Sequence, residues 1–133
     1  MKLDVPSVEV TARNEHAQSG IDSWSIIEAP QRGYEEMCFF HKMEGNVTVS
    51  ATNPEIGKGL EMSYNAEELG YFTEWKMMGE YEYVLGLEPG NCSPDGRDVH
   101  RTEGTLKFIE PGGEYKTSLT FEFVNGDCGF VLQ

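Results

Sequence analysis

The stretch 46-NVTVSATNPEIGKGLEMSY-64 decides the class of fold. Val47, Val49 and Ala51 fall on one face of an extended chain and Thr48, Ser50 and Thr52 on the other. The same alternation resumes with Leu60, Met62 and Tyr64 against Glu61 and Ser63. A period of two marks a strand with one packed face and one more polar face. Between the two runs, Pro54 to Gly59 supplies the proline and glycines of a turn, so the stretch is predicted to be an antiparallel hairpin.

The pattern continues outward in both directions. Tyr115, Thr117, Leu119, Phe121 and Phe123 line one face of a long predicted strand, which starts at the turn Pro111-Gly112-Gly113 and follows a strand holding Leu106 and Phe108. Asn125-Gly126 is a strong hairpin signal, after which the chain is predicted to return through Gly129 to Leu132. Further strands are predicted over 7–11, 23–27, 37–43, 71–76 and 81–88. The single helical signal is one turn, with Asn65 as N-cap, Glu68 three residues on and Gly70 as a stop. The expected fold is therefore all-β, an antiparallel β-sandwich. With 133 residues, and no repeat or linker dividing the chain, it is expected to be a single domain over 1–133.

Charge narrows the partners. Twenty-three acidic against ten basic residues give a formal charge of −13, a field that repels phosphate backbones and anionic lipid headgroups. Neither nucleic acid nor a membrane is expected as a partner, and a strongly anionic substrate is disfavoured. The first six residues hold only Leu3 and Val5 before Pro6, which is not a signal-peptide pattern. Cys38, Cys92 and Cys128 form no CxxC pair and are odd in number, which points to free thiols in a reducing compartment, the cytoplasm. No metal or cofactor is expected. Asn91, Ser93, Asp95 and Gly96 imitate the opening of a calcium loop, but the position due for its bidentate glutamate is Thr102.

The chemistry is sought around strand 81–88. Tyr81, Tyr83, Leu85 and Leu87 form its apolar face and are assigned to the core, which puts Glu82, Val84, Gly86 and Glu88 on the other. Glu88 thus ends a strand away from the core. Gly86, two residues earlier on the same face, leaves room for a ligand to lie against the backbone beside the carboxylate. The irregular loop 89–102 follows. A carboxylate so placed suits a general base or an acceptor for sugar hydroxyls, although an ordinary solvated glutamate has the same pattern.

Leu87-Glu88-Pro89-Gly90-Asn91, followed by Pro94-Asp95, resembles the Leu-Glu-Thr/Pro-Gln-Asn/His segment of aldose 1-epimerases. Downstream, Ile109-Glu110-Pro111-Gly112-Gly113-Glu114-Tyr115 is similar to that family's closing Leu-x-Pro-Gly-Glu-x-Tyr hairpin. Upstream, Gly33-Tyr34-Glu35-Glu36 is similar to its Gly-Phe/Tyr-Asp-His segment, and Tyr71-Phe72-Thr73-Glu74-Trp75 to its Phe-Tyr-Thr strand. The nearest resemblance is to a bacterial subfamily related to these epimerases, in which a tryptophan-lysine strand precedes Gly-Leu/Ile-Glu-Pro-Gly-Asn; Trp75-Lys76 through Asn91 fits it.

The resemblance runs from about Val5 to the end and implies the C-terminal part of a larger mutarotase-type supersandwich. It implies Glu88 as the base that takes the anomeric proton, Glu35 as the holder of sugar hydroxyls, and Trp75 and Asn91 as further lining of the site. The family's proton donor is a histidine from a segment upstream of anything present here, so His41 is the candidate replacement acid. The expected ligand is a neutral sugar, and open sheet edges suggest a homo-oligomer or docking with a missing N-terminal half. Three readings follow from this: an epimerase or part of one, a non-catalytic sugar-binding sandwich, or a structural domain that self-associates.

Overall fold

A computed structural model describes residues 1–125. Eight strands form two antiparallel four-stranded sheets. The first sheet has the order β1 (Lys2–Asp4), β4 (Asn46–Asn53), β5 (Lys58–Asn65) and β8 (Thr120–Val124). The second runs β2 (Glu9–Ala12), β3 (Met37–Lys42), β6 (Tyr71–Met78) and β7 (Tyr83–Gly90). The predicted hairpin is β4 with β5, in the register Val47 to Tyr64 and Val49 to Met62. Its apolar face turns inward. Val47, Val49, Met62 and Tyr64 pack with Val5, Met43, Ala66, Leu69 and Phe72, the last of these from the second sheet. The fold is thus the all-β antiparallel sandwich expected.

The inner face of the second sheet is unusual for its charge. His41 and Glu74 are both wholly buried, with Nε2 to Oε2 at 3.0 Å, while Ser7 Oγ lies 2.7 Å from His41 Nδ1. The edge of the Trp24 ring packs 4.9 Å from the imidazole. Beside them Lys76 is 1 % exposed, paired with Glu28 at 3.0 Å and donating to the Ile26 carbonyl at 2.6 Å. Burying one ion without its partner costs several kcal/mol, on the order of 3–5, so these pairs act as pins. They tie β3 and β6 to the 20–31 segment.

That segment departs from the prediction. Residues 23–27 do not form a strand: Ser23 donates both its N–H and its hydroxyl to the Gly20 carbonyl, closing a 3₁₀ turn over Ile21–Ser23. Only an isolated bridge from Lys2 to Ile26 survives. Two short helices were not predicted, α1 (Glu15–Gln18), capped by the Asn14 side chain accepting from Ala17 N–H, and α2 (Arg97–Glu103). The turn at Asn65 is present, with its Oδ1 accepting from Glu67 N–H at 2.8 Å, but it stays a turn.

β7 begins at Tyr83, because Gly79 to Glu82 form the turn from β6. Tyr81 therefore sits on a turn tip, 89 % exposed, and Tyr83 is 43 % exposed with its hydroxyl on the Glu28 carbonyl. Neither tyrosine is core, which corrects the assignment made from periodicity.

The turn at Pro111-Gly112 is found, with Gly112 at φ +77° and Gly113 N–H on the Glu110 carbonyl. The strand expected before it is not, and the one expected after it forms only from Thr120, as β8. Residues 105–119 run without a ladder, anchored by the Tyr115 hydroxyl on the Glu68 carbonyl and Ser118 N–H on the Glu68 carboxylate. Their alternating side chains meet no second sheet, so Phe108 is 79 % exposed and Phe123 on β8 is 92 % exposed. The predicted hairpin at Asn125-Gly126 and the return to Leu132 lie outside the described residues. Among the described residues no helix is long and apolar enough to cross a membrane.

Burial raises the Glu74 carboxyl above its ordinary value of 4.5, against the opposing pull of His41 and Lys76. The folded state then holds this proton more tightly than the unfolded chain does. The associated stability is fully present below the unfolded value and is lost as pH rises through the folded one. Glu74→Gln keeps an oxygen for His41 and removes the ionisation. Thermal unfolding from about pH 4 to about pH 7 is predicted to show the variant gaining on the wild type as pH rises; a constant difference contradicts the assignment.

Candidate functional site

Alternation along β6 puts Phe72, Glu74, Lys76 and Met78 inside and Tyr71, Thr73 and Trp75 on the outer face of the second sheet. Cα pairing extends that outer face across four strands. Thr11, Phe40, Thr73 and Glu88 form one row, and Cys38, Trp75 and Gly86 the next, with Arg13 beside Cys38 through its N–H on the Cys38 carbonyl.

Glu88 leans out of its own row toward the next. A Cβ placed on Gly86 would lie 2.5 Å from Glu88 Oε1 and 3.3 Å from Trp75 Cβ, so the carboxylate occupies the space the glycine leaves in the tryptophan's row. The indole is itself held, donating from Nε1 to Glu36 Oε2 at 2.8 Å. One carboxylate therefore holds the edge of the indole, and a second lies over the glycine paired with it. Burial pushes the Cys38 thiol up; the Arg13 guanidinium opposes this, and Glu88 and then Glu36 reinforce it. The thiol sits within the field of all three charged groups. Arg13 also reaches Asp95 at 3.6 Å, tying the 91–96 loop to the far edge strand β2. A cleft of about 250 Å³ opens on the same face, between Thr11, Phe40, Lys42, Tyr71 and Thr73, spanning the row of Glu88 and the next.

The sequence matches the family DUF4432, a domain of unknown function, over residues 1–123. The chain belongs to the DUF4432 family. In fold, this DUF4432 chain is similar to the crystal structure of a candidate aldose 1-epimerase from Klebsiella pneumoniae subsp. pneumoniae MGH 78578, with a TM-score of 0.87 at 22 % identity. The match covers 94 % of this chain and 34 % of that one, so the chain spans about a third of the relative's length. No curated protein matches it. At that identity the likeness establishes an aldose-1-epimerase-like fold.

Of the residues singled out from sequence, the structure brings Glu88 and Trp75 together on the DUF4432 chain's outer face. Asn91 lies one residue beyond β7, in the wall of a separate cavity. Glu35 points away: its carboxylate is 73 % exposed and 3.7 Å from His16 Nδ1, and Glu36 makes the contact with Trp75. His41 does not face Glu88. It lies on the inner side of β3 with no exposed side-chain surface, and both its ring nitrogens are engaged by Ser7 and Glu74.

Three members of the cluster, Arg13, Glu36 and Cys38, escape sequence reading because only cross-strand register joins them to Glu88. His100, which lies in the irregular polar stretch 89–102, is 3 % exposed. Its Nδ1 lies 2.7 Å from Thr105 Oγ1, its Nε2 3.1 Å from Ser93 Oγ, and its ring edge-on to Tyr71 at 5.8 Å. The available signal was the run 97–103, free of glycine and proline between Gly96 and Gly104, with Gly104 at φ +73° ending the helix.

Gly86 is at a negative φ, so Gly86→Ala meets only the movable end of Glu88 and the edge of Trp75. Stability is predicted to change by no more than about 0.5 kcal/mol, since alanine is the better strand residue. The carboxylate, however, is displaced from the space beside Trp75. The Trp75 side-chain resonances should therefore shift in this variant relative to the wild type; unchanged resonances contradict the packing described.

Proposed function

We propose that the outer face of the second sheet binds an aldose, with Glu88 as the base that takes the proton of the anomeric hydroxyl, in an aldose-1-epimerase-like reaction. The observation that supports it most is the Glu88 carboxylate laid over Gly86, the Cα partner of Trp75, an aromatic fixed by Glu36. Aromatic faces pack on the C–H faces of sugars, and carboxylates flanking them accept from ring hydroxyls. Glu36 takes the hydroxyl-holding role that the family resemblance gives to its neighbour Glu35.

In such a reaction the base removes the anomeric proton while the bond between the anomeric carbon and the ring oxygen breaks. The ring oxygen gains a proton from an acid; rotation and reclosure on the other face give the second anomer. A donor must therefore stand across the ring from Glu88. His41 is sealed on the inner face, and this favours a second reading in which Glu88, Trp75 and Asn91 recognise the sugar without turnover. Both readings place the protein in the cytoplasm, in keeping with Cys38 and Cys92 as free thiols.

Calorimetric titration with aldoses, run beside polarimetry of the same sugars, tests both. Glu88→Gln is predicted to lower affinity about tenfold and Trp75→Ala by more, from the loss of a charge-assisted hydrogen bond and of a stacking face respectively. Faster mutarotation that is lost in Glu88→Gln identifies the enzyme, and binding without acceleration the recognition module. Wild-type affinity in both variants sinks the site.

A further inference from the structure

The cavity beyond the end of β7 differs from the rest of this acidic surface. It encloses about 320 Å³ between the 91–96 loop, α2 and residues 105–107, a volume within the range of ligand pockets. Its polar wall is made by Asn91, Ser93, His100 and Thr105, and its charges are Arg97 and Lys107. No carboxylate lines it. Other clefts of the molecule set acids beside their cations: Glu9 beside Lys42, Asp4 beside Lys2, and Glu80 and Glu82 beside Arg32.

The nearest loop acid, Asp95, is engaged by Arg13 at 3.6 Å and by the Ser93 hydroxyl at 2.7 Å. Asp98 and Glu103 line a different cleft with Val99 and Thr102. Arg97 and Lys107 form no ion pair among the described residues. Two cations line this cavity and, among the described residues, no carboxylate does, which marks a place for an external anion.

The cavity also adjoins the face already described. Asn91 follows Glu88 by three residues, about 10 Å of extended chain. Tyr71, the Cα partner of Gly90, touches the edge of His100 in the cavity wall. An acidic substituent on a sugar ring beside Glu88, directed along β7 toward Tyr71, points at this cavity.

We propose that this cavity is an anion subsite, taking the carboxylate or phosphate of an acidic sugar whose ring lies over the Glu88 face. The proposal rests on the aldose reading above and changes its substrate class. The net charge favours a neutral sugar, but charges at hydrogen-bond distance outweigh a distant field, which salt screens beyond about 8 Å.

Galactose, galacturonate, galactose 6-phosphate and inorganic phosphate are titrated by NMR and calorimetry into the wild-type chain and into an Arg97→Gln/Lys107→Gln variant whose amide spectrum verifies its fold. Acidic sugars are expected to bind about ten- to a hundredfold tighter than galactose. The double variant should erase that advantage, leave galactose unchanged and abolish the shifts produced by phosphate alone. The preferred acid distinguishes a uronate from a sugar phosphate. Equal affinity for acidic and neutral sugars, or an advantage that survives the double substitution, overturns the subsite. If every sugar is silent while phosphate still shifts the 97 and 107 amides, the sugar reading falls and the anion site stands. Silence from phosphate and sugars alike ends both.

Discussion

The buried pair of His41 and Glu74 is the constraint on which the rest of this molecule depends. Strands tolerate a slip of register poorly because a shift of one residue turns every side chain to the opposite face. Here a slip of β6 would expel Glu74 and Lys76 from their partners and bury Trp75 in their place. A buried imidazole and carboxylate 3.0 Å apart, neither with exposed surface, penalise that slip far more than a purely apolar face does. The polar pins on the inside therefore specify what appears on the outside.

What appears there is a graded surface across four strands. At one end Trp75 stands between Glu36 and Glu88, with Arg13 and Cys38 behind it; at the other, Tyr71 leads to His100 and the cavity beyond β7. Glycine shapes the middle, since the place of the Glu88 carboxylate is the volume that Gly86 lacks. The loop after β7 is held by charge. Asp95 reaches Arg13 beside the opposite edge strand, so the two edges of the face are also linked by a direct ion pair. A binding face on a rigid sheet with one tied loop needs little rearrangement to meet a ligand.

Much of this was legible in the sequence, because period two is a local signal. The hairpin β4 to β5, strands β3 and β6, the turn at Pro111-Gly112 and the outward direction of Glu88 all follow from which residues alternate. The misses arise where a local signal is overridden by something elsewhere. Tyr115 to Leu119 alternate as a strand does, but the described residues offer no neighbour to pair with them. Tyr81 has the right parity for the core and sits on a turn. Serine at position 23 bonds back to Gly20 and bends a stretch that apolar pattern alone extends. The site was legible as far as Glu88 and Trp75, which are marked by short motifs. Glu36 in place of Glu35, the screening of His41 by a whole sheet, and the burial of His100 come from pairing between strands 30 or more residues apart or from a helix folded back on Tyr71, and no single segment carries that information.

The two tryptophans provide the most direct test, because the register puts one on each side of the second sheet. Trp24 packs against His41 on the inner side, and Trp75 lies against Glu88 on the outer face. With the chain labelled at the indole nitrogens, an aldose titration followed by NMR should move the Trp75 resonance in a saturable way and leave Trp24 where it is. A shift of Trp24 with Trp75 unmoved, or no shift of either across neutral and acidic aldoses, would contradict a sugar site on the Glu88 face.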